Sequence, residues 1–384
     1  MTGGKMTAKN PITDIFNCQN IDKFIDSIVQ MMRMGGYSGG QFFTCMIEEH
    51  SYLVKLSLYY KNYGEFSRAY GRGKPEMVED APDGLMNSFD SEIKILNILK
   101  NKIINQNLSS CILELLDYQI CEGIEALTPS EKKCDNLMTE NIRPSRYKDR
   151  VNLLFCQFKD LIAQGIAYNK ISYLIMETYD MTFGAFLENH INSSPIHVEI
   201  FRSLIFQLIY TFYTIKRIYP KFYHGDLHVN NVMLLFDDLF KYVPSDAKYL
   251  KFWINNKPYY LPYFGIVIKV IDYGFSGIPE EGIVPYIRYD KFINTIRYFE
   301  NDFLFFFSDI RKGFNIPSIN KMIEELDPGM FSVVFNPEFI RRNSDRVLSE
   351  LQMLETRTFK DYRENVARED QILQEFANVE KLVT

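Results

Sequence analysis

The sequence predicts an α+β fold, a strand-rich lobe followed by a helical one. Two observations carry this. Up to about residue 180 the apolar residues fall in short runs rich in β-branched and aromatic side chains, bounded by glycine and charged turns. Beyond it they recur at helical spacing over long stretches. Strands first and helices second give an α+β class, and 384 residues that are 46% hydrophobic can bury a core of two lobes. On this reading residues 1–20 are an extension and 21–178 the strand-rich lobe, with insertions near 62–87 and 122–150. Residues 179–315 are the helical lobe with an insertion at 237–264, and 316–384 a helical C-terminal extension.

In chain order, "GGYSGGQFFTCMIEEHSYLVKLSLYY" (35–60) reads as a Gly-rich loop followed by a hairpin. Residues 62–87 are polar, with Gly and Pro, and look like an exposed insertion. "SFDSEIKILNILKNKII" (88–104) is helical, with Ile93, Leu96 and Ile103 at compatible spacing. Two strand-like runs follow, "SCILELLDYQI" and "ISYLIMETY", separated by a second insertion that is dense in charge over 129–150. From Phe201 to Ile215 one apolar face traces a helix; "NVMLLF" and "GIVIKVIDYG" read as short buried strands. Tyr289, Phe292, Ile296, Phe299 and Phe303 mark another buried helix face, and the tail from about 317 is mostly helical and polar enough to wrap the surface.

Composition excludes several classes. A net charge of −6 argues against general nucleic-acid binding, which needs a basic surface to track phosphates. Six cysteines without a CxxC pair read as reduced intracellular thiols, neither a zinc site nor a disulfide framework. The N-terminus lacks an apolar signal core, and the uncharged run 203–215 is shorter than the ~20 residues of a membrane span. The expectation is an intracellular, soluble protein with no nucleic-acid or membrane partner.

"KFYHGDLHVNNVML" (221–234) sets His224, Asp226, His228 and Asn231 in an apolar run, where unpaired polar groups cost free energy. Phosphoryl transfer from ATP wants such groups. It needs glycines that admit the phosphates, a lysine on them and an acid that holds the lysine. It also needs an acid that orients the acceptor hydroxyl, and an Asn and an Asp for divalent metal. In that order the chain offers Gly36 and Gly39 in "GGYSGGQF", Lys55 in "YLVKL" and Glu92 in "SEIKIL". It continues with Glu177 and Tyr179 in "METY", then Asp226 and Asn231, and Asp272 in "IDYG". The glycines and the lone strand lysine are weak signals, because glycines usually only make turns and strand lysines are usually solvated. The HxDxxxxN segment, followed by a strand and Asp-x-Gly, is specific.

On these motifs the chain resembles protein-kinase-like phosphotransferases, and its wording is similar to the serine/threonine kinases of large DNA viruses. Those share "HGDLH…N", a long insert ending in Pro-Tyr-x-Gly (here "LPYFG", 261–265) and "IDYGFS". The resemblance covers roughly residues 35–310. It implies a bilobal protein-kinase-like fold with ATP and Mg²⁺ (or Mn²⁺) in the cleft. It implies Asp226 as catalytic base, Lys55 and Glu92 as the ion pair on the phosphates, and Asn231 and Asp272 as metal ligands. Gly36, Gly39, Glu177, Tyr179 and His228 would contact the nucleotide, His228 standing where protein kinases have a lysine. The partner implied is a protein substrate with an acceptor hydroxyl, in host cytoplasm or, for a viral protein, the virion.

The chain departs from the pattern in three places. Gly225 replaces the Arg that pairs with a phosphorylated activation loop, so switching by loop phosphorylation is not expected. Asn231 and Asp272 lie 41 positions apart (272 − 231), so 237–264 must bulge out. Pro279-Glu280 comes too early for a peptide-docking Ala-Pro-Glu. Asp302 is a candidate acid to brace the catalytic loop. Two alternatives stay open: a small-molecule kinase of the aminoglycoside or choline type, which carries "HGDLH", and an inactive pseudokinase or virion structural protein.

Overall fold

The computed structural model describes residues 18, 22–31, 40–60, 88–124, 134–135, 147–191, 194–237, 248–284, 302–314, 316–326, 348–365 and 367–383. It is α+β, and its contacts divide into two compact units: 1–93 with 115–178, and 94–114 with 179–285 and 289–384. The expected insertion 62–87, most of 129–150 and the helix positions 289–299 lie outside the described residues.

In the first unit, α1 (Asp22–Ser27) leads into β1 (Ile28–Met31), β2 (Gly40–Ile47) and β3 (His50–Tyr60). The β2–β3 hairpin turns on Glu48 and Glu49, both at positive φ. Next come α2 (Ser88–Leu99), whose head to Ile93 counts with this unit, β4 (Leu115–Glu122), α3 (Tyr147–Ala163) and β5 (Ala167–Glu177). The strands form one antiparallel sheet in the order β1-β2-β3-β5-β4.

Strand alternation sends Val54, Leu56 and Leu58 to one face with Phe43, Cys45, Tyr173 and Ile175. There α1 and α3 cover them; Phe24 meets Phe43 and Tyr173 edge-on, and Phe155 and Phe158 belong to the same core. The other face carries Lys55, Ser57 and Tyr59.

The expectation of six reduced thiols does not hold for four of them. Cys18 is bonded to Cys121, and Cys134 to Cys156 on α3. The partners lie 103 and 22 residues apart, so tertiary packing alone brings them together and no sequence spacing announces it. Cys45 and Cys111 stay as buried thiols, Cys45 pushed up to about 12 by burial.

The second unit is built around one helix. After β6 (Met181–Thr182) and α4 (Phe183–His190), which Thr182 caps by accepting from the Ala185 N–H, α5 runs from Pro195 to Ile218. Proline opens it and Lys216 and Arg217 sit in its last turn, where the helix dipole favours them. Every residue from Ile200 to Ile215 is buried except Arg202. This helix is long and apolar enough to cross a membrane, yet 83% of its most apolar window is buried inside the structure. A core helix passes that test for the same reason.

Beyond α5 come β7 (Val232–Phe236), β8 (Tyr249–Ile254), β9 (Lys257–Pro262) and β10 (Ile266–Val270). β10, β7 and β6 make a three-stranded sheet. Gln207 of α5 completes part of its hydrogen bonding, donating to Ile266 O and accepting from Ile268 N–H, 3.2 Å each.

Of the insertion 237–264, the described residues 248–264 carry the β8–β9 hairpin, turned on Asn255 and Asn256 at φ 49° and 60°, a two-residue turn of the hairpin type. Of its aromatics, Phe252 and Tyr259 pack inward, with rings 5.3 and 5.9 Å from Phe206 of α5; Trp253 and Tyr260 are half-buried.

The remaining elements are α6 (Asp302–Gly313), α7 (Pro317–Leu326), α8 (Glu350–Leu354), α9 (Lys360–Glu364), β11 (Ile372–Glu375) and α10 (Glu380–Val383). The tail is not the surface wrap its polarity suggested. β11 pairs in parallel with β8, Phe376 stacks on Phe252 at 4.7 Å, and Phe359 and Tyr362 pack on Phe206. Glu380 binds Tyr213 and Arg217 of α5. Few apolar residues, placed where two elements meet, suffice to make a polar segment part of the core.

Candidate functional site

In the first unit the candidate residues meet on the sheet face opposite α1 and α3. Lys55 lies in central strand β3, between Phe42 of β2 and Leu174 of β5. Its ammonium reaches both carboxylate oxygens of Glu92 on α2, at 2.8 and 2.7 Å, and lies 5.4 Å from the centre of the Phe42 ring. Both side chains are 1% exposed. A charge at that depth is tolerated only with an opposite charge in good geometry, so each residue depends on the other.

Four residues further on the same face, Tyr59 donates to Asp90 Oδ1 at 2.9 Å, while Lys170 stands over its ring. Burial and the Asp90 charge hold the Tyr59 hydroxyl above its ordinary range. The head of α2 is thus tied to β3 twice. Glu177 ends β5 half-buried; Tyr179 belongs to the second unit and is buried. Gly36 and Gly39 lie outside the described residues.

In the second unit, Asp226, His228 and Asn231 sit on the turn between α5 and β7, and many backbone groups of that turn are bonded. Tyr223 exchanges both backbone bonds with Gly277 (3.2 and 3.0 Å), and a Cβ on Gly277 would meet the Tyr223 ring at 2.4 Å. Lys221 N–H donates to Glu280, which gives the early Pro279-Glu280 a local bracing contact. Asp302, at the head of α6, accepts from the His224 and Gly225 N–H groups at 2.9 Å each. His224 is fully buried; its Nε2 bonds Ile271 O and its carbonyl accepts from Ser276 Oγ.

Gly225 has φ +80°, and a Cβ there would strike the Phe275 carbonyl oxygen at 2.4 Å. No arginine fits that backbone without moving it, which is the physical reason glycine stands there. Burial raises the Asp302 carboxyl to about 6, against the opposing pull of Lys216 and the two N–H donors.

Asn231 donates its amide to Asp226 twice, to the backbone O at 2.9 Å and to Oδ2 at 3.2 Å. That fixes which way the amide points and turns Oδ1 away from Asp226. The Asn231 carbonyl accepts from Ile271 N–H at 3.0 Å, and so brings the end of β10 alongside. Asp272 follows immediately, buried, at φ 63° and ψ 66°. A left-handed aspartate is a strained backbone that persists only where the surroundings enforce it.

His228 Nδ1 accepts from Asn230 N–H at 3.2 Å, so the neutral ring carries its proton on Nε2, 3.7 Å from Asp226 Oδ2. Burial lowers the His228 pKa, outweighing the charges of Asp309 and Asp272, so the ring is neutral at pH 7. Among the described residues no group of three or more His, Cys, Asp and Glu side chains is placed to hold a metal by itself. Asn231 and Asp272 offer one neutral and one charged oxygen donor, a set suited to Mg²⁺ that keeps other ligands of its own.

The structure therefore brings together Lys55 with Glu92, and Asp226 with His228, Asn231 and Asp272, each group within its own unit. The sequence reading missed the Tyr59–Asp90 tie and the contact of Asp309 with Val229 N–H at 3.2 Å. The second had a signal: Asp309 lies seven residues after Asp302, on the same helix face.

No known protein-family profile matches the chain. Two proteins of Acanthamoeba polyphaga mimivirus do, each carrying the name "Putative serine/threonine-protein kinase". One is 25% identical over 223 residues, 55% of this chain and 55% of that protein. The other is 30% identical over 139 residues, 36% of this chain and 28% of that protein. The chain thus spans about half the length, or less, of the curated relatives it matches. A kinase-like relationship with proteins of a large DNA virus is established on that footing.

Proposed function

We propose that this chain is an ATP-dependent phosphotransferase of the protein-kinase-like type, acting on the hydroxyl of a serine or threonine in a protein substrate. The single observation that carries this is the tie between Asp226 and Asn231, with the Asn231 carbonyl holding Ile271 beside Asp272. A turn that needed only to fold would not place an acid, an amide and a strained acid within one hydrogen-bond chain. Asp226 accepts a hydrogen bond from the acceptor hydroxyl and orients it toward the γ-phosphorus, a role in which position matters more than basicity. Lys55, held by Glu92, takes the phosphates.

Asn231 Oδ1 and the Asp272 carboxylate are the donors that would hold Mg²⁺, which supplies neutralisation of phosphate charge when bound. A bilobal kinase arrangement, with Gly36, Gly39, Glu177, Tyr179 and His228 toward the nucleotide, belongs to this reading. Glycine at 225 removes the residue that would read a phosphorylated loop, so the reading includes activity without that modification. The small-molecule reading keeps one support, the "HGDLH" wording with a neutral His228 beside Asp226.

The test is transfer from labelled ATP with Mg²⁺ or Mn²⁺ to the protein itself, to generic protein substrates and to aminoglycosides and choline. Transfer to proteins supports the proposal, and transfer to small molecules alone replaces it with the second reading. No transfer, with Mg·ATP bound equally by wild type, Asp226→Asn and Asp272→Asn, overturns both.

A further inference from the structure

We propose that Asp309 is a positioning residue for the turn that carries Asp226, His228 and Asn231, acting as a second carboxylate clamp from the helix that supplies Asp302. The inference rests on the phosphotransferase reading for its kinetic consequence, though not for its geometry. Asp302, Phe306 and Asp309 are spaced i, i+4, i+7, and so share one face of α6. At one end of that face Asp302 takes the N–H groups of His224 and Gly225, and at the other Asp309 Oδ2 takes the N–H of Val229 at 3.2 Å.

Phe306 lies between the two acids and packs against Phe183, ring centres 5.6 Å apart. Phe183 precedes Gly184, whose N–H donates to the Val229 carbonyl at 3.1 Å. Gly184 comes so close that a Cβ there would meet Asn230 Oδ1 at 2.9 Å and Val229 Cγ2 at 3.1 Å. The Val229 residue is therefore held on both sides, its N–H by α6 and its carbonyl by α4.

This matters because the Asp302 bonds stop at Gly225. Between Gly225 and Asn231 the turn must hold Asp226 and His228, about a third exposed each, at a fixed separation. Without Asp309, the Val229 N–H at the centre of the turn loses its acceptor, and residues 226–231 keep the bonds of His228 to Asn230 and Asn231, the Asn231 amide, the Ile271 N–H and the Gly184 contact, none of which replaces an anchor from α6 at Val229. Small displacements of a reacting group cost rate far more than stability.

The experiment compares Asp309→Asn, which keeps an acceptor oxygen, with Asp309→Ala and Asp309→Leu, which do not. Kinetics on a substrate that wild type phosphorylates are read beside hydrogen exchange of the 221–234 segment. The expected result is that Ala and Leu lower kcat about tenfold, with the KM for ATP unchanged, while Asn stays within about twofold of wild type. The 224–231 amides should exchange faster in Ala and Leu only. Wild-type kcat in Ala, equal losses in Asn and Ala, or unchanged exchange would each overturn the proposal. If neither Ala nor Leu folds, the role is structural and the proposal also falls. A wild-type protein that transfers no phosphate refutes the phosphotransferase reading instead, and exchange still decides whether Asp309 clamps the turn.

Discussion

The two units hold their candidate residues by opposite means. Lys55 is fixed by one fully buried charge pair in the middle of a sheet, whereas Asp226 and Asn231 sit on a turn fixed by many backbone hydrogen bonds from β10, α4 and α6. A buried pair concentrates its energy in one contact, and breaking either partner leaves an unpaired charge. A turn tied by its backbone spreads that energy, so its exposed side chains can change without loosening the fold. The contrast separates positions where activity and stability are coupled from positions where they are not.

Asp226→Asn tests the uncoupled side and carries the largest expected effect. Transfer should fall by about 10²–10⁴-fold, as loss of a positioned acid or base does, while the melting curve and ATP binding stay near wild type. A melting shift as large as that of a core variant would erase the contrast.

Lys55→Ala tests the coupled side. Glu92 loses the buried charge that lies 2.7 Å from it, a loss of about 3–5 kcal/mol, read in urea unfolding together with loss of transfer. The double variant Lys55→Met/Glu92→Leu sharpens this: stability should return while transfer does not. Recovery of neither would mean that the pair organises more than its own charges.

Gly225→Ala probes the turn at its least forgiving point. The methyl group meets the Phe275 carbonyl and the backbone is left-handed, so a loss of about 1–3 kcal/mol is expected, with transfer reduced alongside.

The pH dependence of stability gives a fourth test. The Asp302 carboxyl is raised from 3.8 to about 6 in the fold, so the folded state binds more protons than the unfolded one between those values. Its contribution is fully present below pH ~4 and is lost as pH rises through about 6. Asp302→Asn should flatten that part of the stability curve, and an unchanged slope between pH 4 and 6 would count against the burial argument.

Tyr59→Phe is the smallest: about 1 kcal/mol from the bond to Asp90, seen as faster amide exchange at the head of α2.

Much of the candidate site was legible because its residues are polar where periodicity demands apolar ones. His224, Asp226 and Asn231 interrupt a buried run, and Asp272 ends one. Lys55 was legible only through its company, since a strand lysine says nothing until Glu92 appears on the following helix. The α+β class followed from the switch of period near residue 180.

What stayed hidden depends on contacts distant in sequence. Cys18 and Cys121 give no spacing signal. Ser276 and Asp309 are ordinary polar residues until the turn folds beneath them. β11 reads as part of a polar tail, because Gln374 and Glu375 make up half of it and the buried Phe376 and Val379 that anchor it lie just beyond its end.

The pairing of β11 with β8 has a consequence for how the protein is made. Trp253 and Glu375, bonded at 3.0 Å, are 122 residues apart, and the ring of Phe376 closes the aromatic cluster around Phe206 and Phe252. During synthesis the β8–β9 hairpin leaves the ribosome long before its parallel partner exists. Until residue 376 emerges, Phe252 lacks the ring that stacks on it and one edge of β8 is unpaired, a surface open to other chains. The nascent protein therefore passes through a window of roughly six to twenty-five seconds, at ordinary elongation rates of about 5–20 residues per second, in which a chaperone or a stray strand competes for the place that β11 will take.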